Sequence, residues 1–304
     1  MKQFLPFRCL SPLAWQLVLS AFVLCICMGS AHAQINVNLE IKRRVFIVNE
    51  PVIANVTIQN NTGHDIMLAD TQEGGQWFSF QIVTNEGRLV APRNPNYELQ
   101  PLPMKAGEAV KRTVNLTELY EIGDFGGYHI TASIFFPSIG KYFASKRDNI
   151  EITEGHLVWK QTVGVPNSPE TLGAYRTFSL LTLEHDRGKM LYVRVVGQDD
   201  GTIYGCYNLG RILDGFPPDA KFDSGNNLAV LQTLGQREYL FSRIGIDGNF
   251  IGQTSYSSIK AQPFLRKLEN GTLQLVGAVR KPVNEQVAGE NVPKLSDRPV
   301  GFPK

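Results

Sequence analysis

The sequence is poor in cysteine, and its few cysteines are unevenly placed. Three of the four lie within the first 33 residues, and Cys206 is the only one in the remainder of the chain. One cysteine cannot form an internal disulfide, so a chain that has lost its N-terminal segment depends on its hydrophobic cores. The pattern therefore favours domains that are stabilised by packing rather than by covalent crosslinks.

Net charge is also scarce. Lys2 and Arg8 are the only charged residues among the first 33, so the rest of the chain has 28 basic and 28 acidic residues. This balance leaves no excess positive charge to attract nucleic acid or an anionic membrane. We therefore expect neither of them as a partner.

The N-terminal segment has the layout of a secretory signal peptide. Its apolar run, Leu17–Met28, is followed by the small-x-small sequence that ends at Ala33. A membrane-spanning helix needs about 20 apolar residues, and this run is shorter. The sequence therefore predicts cleavage after Ala33 and a secreted or periplasmic mature protein without a membrane span, with an uncleaved anchor as the alternative.

Convincing amphipathic helices are missing as well, and period-two alternation takes their place. Apolar and polar residues alternate from Ile35 to Ile41 and again from Val52 to Gln59. Similar segments recur about every 8–15 residues up to Thr153, a spacing that is typical of antiparallel sandwiches. The composition, with 28 glycines and 10% aromatic residues, also favours an all-β fold.

Local motifs in this half of the chain are similar to those of a known kind of sandwich. Asp124–Tyr128 fits the Asp-x-Gly-x-Tyr pattern at the start of a penultimate strand, and Asn49–Val52 and Asn60–Thr62 flank an early strand. On these motifs, Gln34–Thr153 resembles the bacterial immunoglobulin-like modules of secreted proteins, which include a class of proteinase inhibitors. The resemblance implies that the Tyr128 hydroxyl bonds back to the preceding loop. The cysteine pair of antibody-type domains is missing.

The second half has a different rhythm. Residues 154–174 are predicted to be a linker, residues 175–281 a second antiparallel β domain, and residues 282–304 a flexible tail. Turn sequences recur in the second domain with glycines 24, 23 and 23 positions apart, at Asp200-Gly201, Ser224-Gly225, Asp247-Gly248 and Asn270-Gly271. Asp-Gly and Asn-Gly pairs predict two-residue hairpin turns. The hairpins favour a small sandwich or open barrel, with a partial propeller as the alternative.

The sequence predicts no catalytic residue, metal site or cofactor site. The four histidines that follow Ala33 lack metal-ligand spacing, and they are His64, His129, His156 and His185. No Gly-x-Ser-x-Gly sequence presents a serine nucleophile. Cys206 lies between tyrosines on a predicted strand, where a small buried residue is expected.

These observations predict a non-catalytic protein that binds a protein or an extracellular polymer; the sequence leaves its oligomeric state open. The candidate contact residues are Trp77, Pro95, Tyr97 and Phe136. One alternative is a proteinase inhibitor that uses the stiff Pro92–Pro103 loop. The other is a hydrolase with a site at the domain junction that involves His156 or His185.

Overall fold

The computed structural model describes residues 35–70, 75–93, 100–166, 173–186, 188–258 and 260–281. Strands dominate this part of the chain, and its only α-helix is the single turn α1 at Leu116–Leu119. The prediction of an all-β fold is therefore confirmed. The predicted signal segment and the predicted C-terminal tail lie outside the described residues.

The N-terminal sandwich, residues 35–153, consists of two main sheets. The first is antiparallel and has the spatial order β1 (Ile35–Ile41), β3 (Ile53–Asn60), β7 (Ala109–Asn115). The second has the order β2 (Val45–Ile47), β10 (Asp148–Thr153), β8 (Gly126–Phe136), β5 (Phe78–Thr84), and β9 (Lys141–Ala144) pairs with the end of β8. β4 (Ile66–Leu68) and β6 (Leu102–Met104) form a separate two-stranded antiparallel sheet. β2 runs parallel to β10, and the other pairs are antiparallel.

Both sheets contribute alternate side chains to one core. Val56 and Ile58 on β3 are fully buried, as are Ile82 on β5 and Ile130 on β8. This is the burial that the alternation in the sequence predicts, because successive side chains of a strand point to opposite faces. β1, β3 and β7 thus form one layer of this β-sandwich, and β2, β10, β8 and β5 form the other.

The bond predicted for Tyr128 is present. Its hydroxyl donates to the backbone oxygen of Asp124 at 2.7 Å, and the tyrosine is buried at the start of β8. The bond ties the preceding loop to the strand, which is the geometry of a tyrosine corner.

The C-terminal sandwich, residues 156–281, is built from two antiparallel meanders. The first contains β11 (His156–Gly164), β12 (Tyr175–His185), β13 (Gly188–Gly197) and β14 (Ile203–Arg211). The second contains β15 (Asp219–Phe222), β16 (Leu228–Gly235), β17 (Glu238–Ile244), β18 (Phe250–Ser258) and β21 (Ala278–Arg280). A separate hairpin joins β19 (Phe264–Lys267) and β20 (Leu273–Val276). The segment predicted as a linker therefore contains the first strand of this sandwich.

The two meanders share a core that includes Phe178 and Val193 from the first and Leu228 and Val230 from the second. Aromatic side chains also pack between the two sheets, and the ring centroids of Trp159 and Phe222 lie 5.9 Å apart. The prediction of a second antiparallel β domain built from hairpins is therefore confirmed.

The predicted turns lie at hairpin tips, but their geometry differs from the prediction. In the Asp247-Gly248 turn, the Gly245 amide donates to the Asn249 carbonyl, and only Gly248 has a positive φ, at 76°. The loop is therefore a three-residue turn with one left-handed position rather than a two-residue turn with two. At Ser224-Gly225 the left-handed residue is Asn226, with φ 58°, because asparagine tolerates this conformation.

Candidate functional site

Of the predicted contact residues, the two that the structure describes are buried. Trp77 and Phe136 are 1% and 2% exposed, and both belong to the core of the N-terminal sandwich. Phe136 points inward because alternate residues of β8 face the core, so its ring is packed inside the sandwich rather than presented at the surface. Pro95 and Tyr97 lie outside the described residues.

The structure instead gathers titratable side chains where the two sandwiches meet. Arg43, between β1 and β2, donates from Nη2 to the Glu50 carboxylate at 2.5 Å. The second carboxylate oxygen of Glu50 accepts the backbone amide of Ile47 at 3.1 Å. Glu50 is 3% exposed, so its carboxylate is largely removed from water, whereas the Arg43 side chain is 30% exposed. We call Arg43, Glu50, His185, Tyr192 and Asn208 the junction cluster.

Tyr192 on β13 connects this ion pair to the C-terminal sandwich. Its hydroxyl lies 2.8 Å from Nη1 of Arg43, 2.7 Å from Nε2 of His185 and 3.2 Å from Nδ2 of Asn208. Tyr192 is fully buried. Three partners is the full capacity of a phenolic hydroxyl, which has one hydrogen to donate and two lone pairs.

The environment shifts the pKa values of these groups. Burial, followed by the charge of Arg43, lowers the pKa of His185. Burial and then the charge of Glu50 raise the pKa of Tyr192. Burial raises the pKa of the Glu50 carboxyl. The charge of Arg43, its hydrogen bond to Glu50 and the hydrogen bond from the Ile47 amide oppose that rise. The cluster thus favours a neutral imidazole and a neutral phenol.

Apolar residues surround the cluster and join the sandwiches. Ile47 on β2 packs with Leu181 on β12 and Tyr192, and all three are almost fully buried. Gly155, with φ 77°, allows the close approach, because a β-carbon there would lie 3.0 Å from Cδ1 of Ile47 and 3.3 Å from the Thr182 oxygen. The junction is therefore a packed interface rather than a loose tether.

The remaining sequence candidates lie apart from the cluster or are inert. His156 is exposed at the start of β11, His64 is exposed in a turn, and His129 contacts Asn149 at 2.6 Å on the surface. Cys206 is buried on β14, and burial raises the pKa of its thiol to about 12. A thiol in that state is a poor nucleophile, which agrees with the expected small buried residue.

A second feature is the open edge of β11. Among the described residues, this strand pairs only with β12. The Val165 amide donates to the Ala174 carbonyl, so the backbone groups of Val165 face β12. Along an antiparallel strand, residues whose backbone groups face the partner strand alternate with residues whose groups face away from it. The N–H and C=O groups of Thr162 and Lys160 therefore point away from β12. The contact between the Thr162 and Thr177 hydroxyls at 2.9 Å fits this register, since side chains approach most closely at such pairs.

The ends of this edge are limited by other contacts. The outward carbonyl of Gly164 accepts a hydrogen bond from Nδ2 of Asn226 at 2.7 Å. At the other end, a register shift lies between Leu157 and Trp159, and Leu157 is 50% exposed. The free edge is thus a short, regular stretch, residues 159–163, bordered by exposed apolar side chains.

Sequence reasoning missed the junction cluster except for His185. Arg43 and Glu50 belong to stretches that look like a surface basic run and a turn, Lys42–Arg44 and Asn49–Pro51. The signal that was available is the apolar context of Glu50, which is flanked by Val48 and Val52. A carboxylate in such a context is buried only when a cation accompanies it.

Comparisons with known proteins do not identify a family. No protein-family model matches the chain, and no curated protein matches it. Two solved structures are similar in part. The sporulation control protein Spo0M from Bacillus subtilis aligns at 11% identity and a TM-score of 0.28, covering 82% of this chain and 90% of its own. The periplasmic chaperone SfaE aligns at 12% identity and a TM-score of 0.24, covering 72% and 98%. Alignments at these TM-scores carry no inference about function.

Two further properties concern the described residues only. None of the helices there has the length and apolar character needed to cross a membrane. No group of three or more His, Cys, Asp or Glu side chains in this part of the chain is arranged to hold a metal ion.

Proposed function

We propose that the protein is an exported, non-catalytic binding or adaptor protein that recognises an extended segment of a partner protein. The segment would add a strand to β11, with backbone hydrogen bonds to Lys160 and Thr162 and side-chain contact at Leu157. The observation that carries this proposal is the free backbone edge of residues 159–163 beside exposed apolar side chains. Pairing along an open edge gives affinity, and neighbouring side-chain contacts give selectivity.

Export is the setting that we propose for this activity. The first 33 residues support a secreted or periplasmic location, and an immunoglobulin-like module of the kind that secreted bacterial proteins contain is the finer assignment that we propose for residues 34–153. A rigid β scaffold suits this role because the paired strands keep the edge extended before binding, which reduces the entropy lost on association.

Catalysis at the sandwich junction is the less favoured alternative. The Tyr192 hydroxyl already has three protein partners, and Tyr192 is fully buried. Glu50 is committed to Arg43 and Ile47. A group with its hydrogen-bonding capacity filled internally is poorly placed to reach a substrate. The cluster therefore supports a structural role.

The proposed function can be tested with a displayed library of random seven-residue peptides and the mature chain. We expect selected peptides rich in β-branched and aromatic residues, whose binding slows hydrogen exchange at the Lys160 and Thr162 amides. Thr162→Pro removes an outward amide without removing a bond to β12, and it should abolish binding. Thr162→Ala keeps that amide and should bind like the wild type.

Two outcomes would contradict the proposal. In the first, the selected peptides bind Thr162→Pro as tightly as Thr162→Ala, although both variants show the wild-type circular dichroism spectrum. The other is that the library yields no binder, whereas an array of extracellular polysaccharides does, which would favour a polymer ligand.

A further inference from the structure

The protonation state of His185 follows from the hydrogen bonds around Tyr192. Arg43 can only donate, so its Nη1 occupies one lone pair of the Tyr192 oxygen. Asn208 accepts the Gly210 amide through Oδ1 at 2.7 Å, which fixes its side-chain orientation and makes Nδ2 the donor to Tyr192. Both lone pairs are then used, and the phenolic hydrogen must go to Nε2 of His185. That nitrogen is therefore unprotonated.

Protonation of His185 would disrupt this arrangement. The imidazolium would carry a hydrogen on Nε2, which would face the Tyr192 hydrogen across 2.7 Å, with no lone pair left to receive it. The new charge would also lie near Arg43, whose carboxylate partner Glu50 is already engaged. A donor that faces the fully buried Tyr192 hydroxyl without an acceptor and an added positive charge beside Arg43 are both unfavourable.

The other charged groups around His185 act in opposite directions. Asp186 and Glu184, its chain neighbours, favour the charged imidazole, and Arg43 opposes it. Lys189 on β13 lies 3.3 Å from Glu184 and also pairs with Asp214, so part of the acidic field is neutralised. The balance leaves the neutral imidazole as the form that fits the folded chain.

We propose that His185 and Tyr192 form an acid-sensitive latch between the two sandwiches. At neutral pH the latch holds the Arg43 segment of the N-terminal sandwich against β13 and β14. On acidification the imidazole becomes charged, the hydrogen bonds among Arg43, Tyr192 and His185 rearrange, and the packing of Ile47 against Leu181 loosens. The device would let an exported protein change the relative mobility of its sandwiches with the pH of its surroundings.

The test measures hydrogen-exchange protection factors by NMR in the mature protein, between about pH 8 and about pH 5. We expect protection at the Ile47 and Leu181 amides to fall about tenfold, the factor that corresponds to the loss of one buried hydrogen bond. In His185→Gln, the Gln oxygen can still accept the Tyr192 hydrogen and does not titrate, so protection should stay constant. The matched control, His129→Gln on the surface, should respond to pH like the wild type.

A direct titration of the wild type keeps the proposal testable if His185→Gln does not fold. The Cε1 proton of His185 should titrate below the ordinary histidine range and in step with the loss of protection at Ile47. The proposal is overturned if His185 titrates in the ordinary range, or if a folded His185→Gln loses protection at Ile47 and Leu181 as the wild type does.

Discussion

Arg43 donates a 2.8 Å hydrogen bond to the hydroxyl of Tyr192 across 149 positions of the sequence. The bond joins the segment between β1 and β2 to the third strand of the C-terminal sandwich. Arg43 also pairs with Glu50, so one guanidinium connects a buried carboxylate in the first sandwich to a buried phenol in the second. The planar, multiply donating guanidinium suits this role, because a single ammonium group cannot hold two partners in so fixed a geometry.

The ion pair of this cluster should be needed for stability. In Arg43→Met, the Glu50 carboxylate stays buried without its cation, and we expect the free energy of unfolding to fall by about 2–4 kcal/mol. The double variant Arg43→Met with Glu50→Gln should recover part of the loss, because glutamine is uncharged and still accepts the Ile47 amide. Urea unfolding monitored by circular dichroism measures both effects.

The exposed pair of Arg88 and Asp124 supplies the control. Their charged atoms are 3.4 Å apart, and the side chains are 68% and 75% exposed. Arg88→Met should change the free energy of unfolding by no more than about 0.5 kcal/mol. Equal effects of Arg43→Met and Arg88→Met would show that burial of the junction pair has no energetic consequence.

Gly248 should tolerate substitution much less than Gly252. Gly248 has φ 76°, and a β-carbon there would lie 2.5 Å from Cβ of Tyr204. Gly248→Ala should therefore cost about 2–4 kcal/mol through backbone strain and overpacking. Gly252, on β18, has no atom within 4 Å of the equivalent position, so Gly252→Ala should be neutral or slightly stabilising. Thermal unfolding of the two variants gives the comparison, and similar melting temperatures would contradict it.

The tyrosine corner offers a smaller, local test. Tyr128→Phe removes the hydroxyl that bonds to the Asp124 oxygen at 2.7 Å and leaves the ring in place. We expect a loss of about 1 kcal/mol in the free energy of unfolding. Tyr142→Phe, at a tyrosine that is 65% exposed, should have no measurable effect. If both variants unfold like the wild type, the corner bond makes no net contribution.

Alternation in the sequence predicted the strands and the core well, because the burial of a strand is a local property with a period of two. The inward set of β3 could be predicted for that reason, whereas the bond of Tyr128 was predicted from the Asp-x-Gly-x-Tyr motif at Asp124–Tyr128. The junction cluster could not, because it combines Arg43 with Tyr192 and Asn208, and nothing local indicates that these residues meet. The predicted turn type was wrong, because an Asp-Gly or Ser-Gly pair does not specify the loop length or which residue becomes left-handed.

Cys206 should be unreactive in the folded protein. Its side chain is buried, and burial raises the pKa of the thiol to about 12, so few molecules carry the reactive thiolate at neutral pH. A disulfide reagent such as dithionitrobenzoate should label it only after urea is added. Gln161→Cys, which places a thiol at an exposed position of β11, is the positive control. Rapid labelling of Cys206 in the native wild type would contradict its buried placement.

Stability should decline with acidification through His185. Its pKa in the folded chain is below the ordinary value because burial and Arg43 disfavour the charged ring. Between the folded pKa and the ordinary pKa of the unfolded chain, His185 binds more protons in the unfolded chain than in the folded one. The stabilisation is therefore complete above the unfolded pKa of about 6.5 and is lost as the pH falls through the folded pKa. Chemical unfolding of the wild type and His185→Gln at several pH values isolates this contribution from that of the carboxylates. The difference in the free energy of unfolding between the wild type and His185→Gln should change with pH in that window. The control His64→Gln, at an exposed position, should follow the wild type throughout. Parallel curves for all three proteins would exclude His185 as the titrating group.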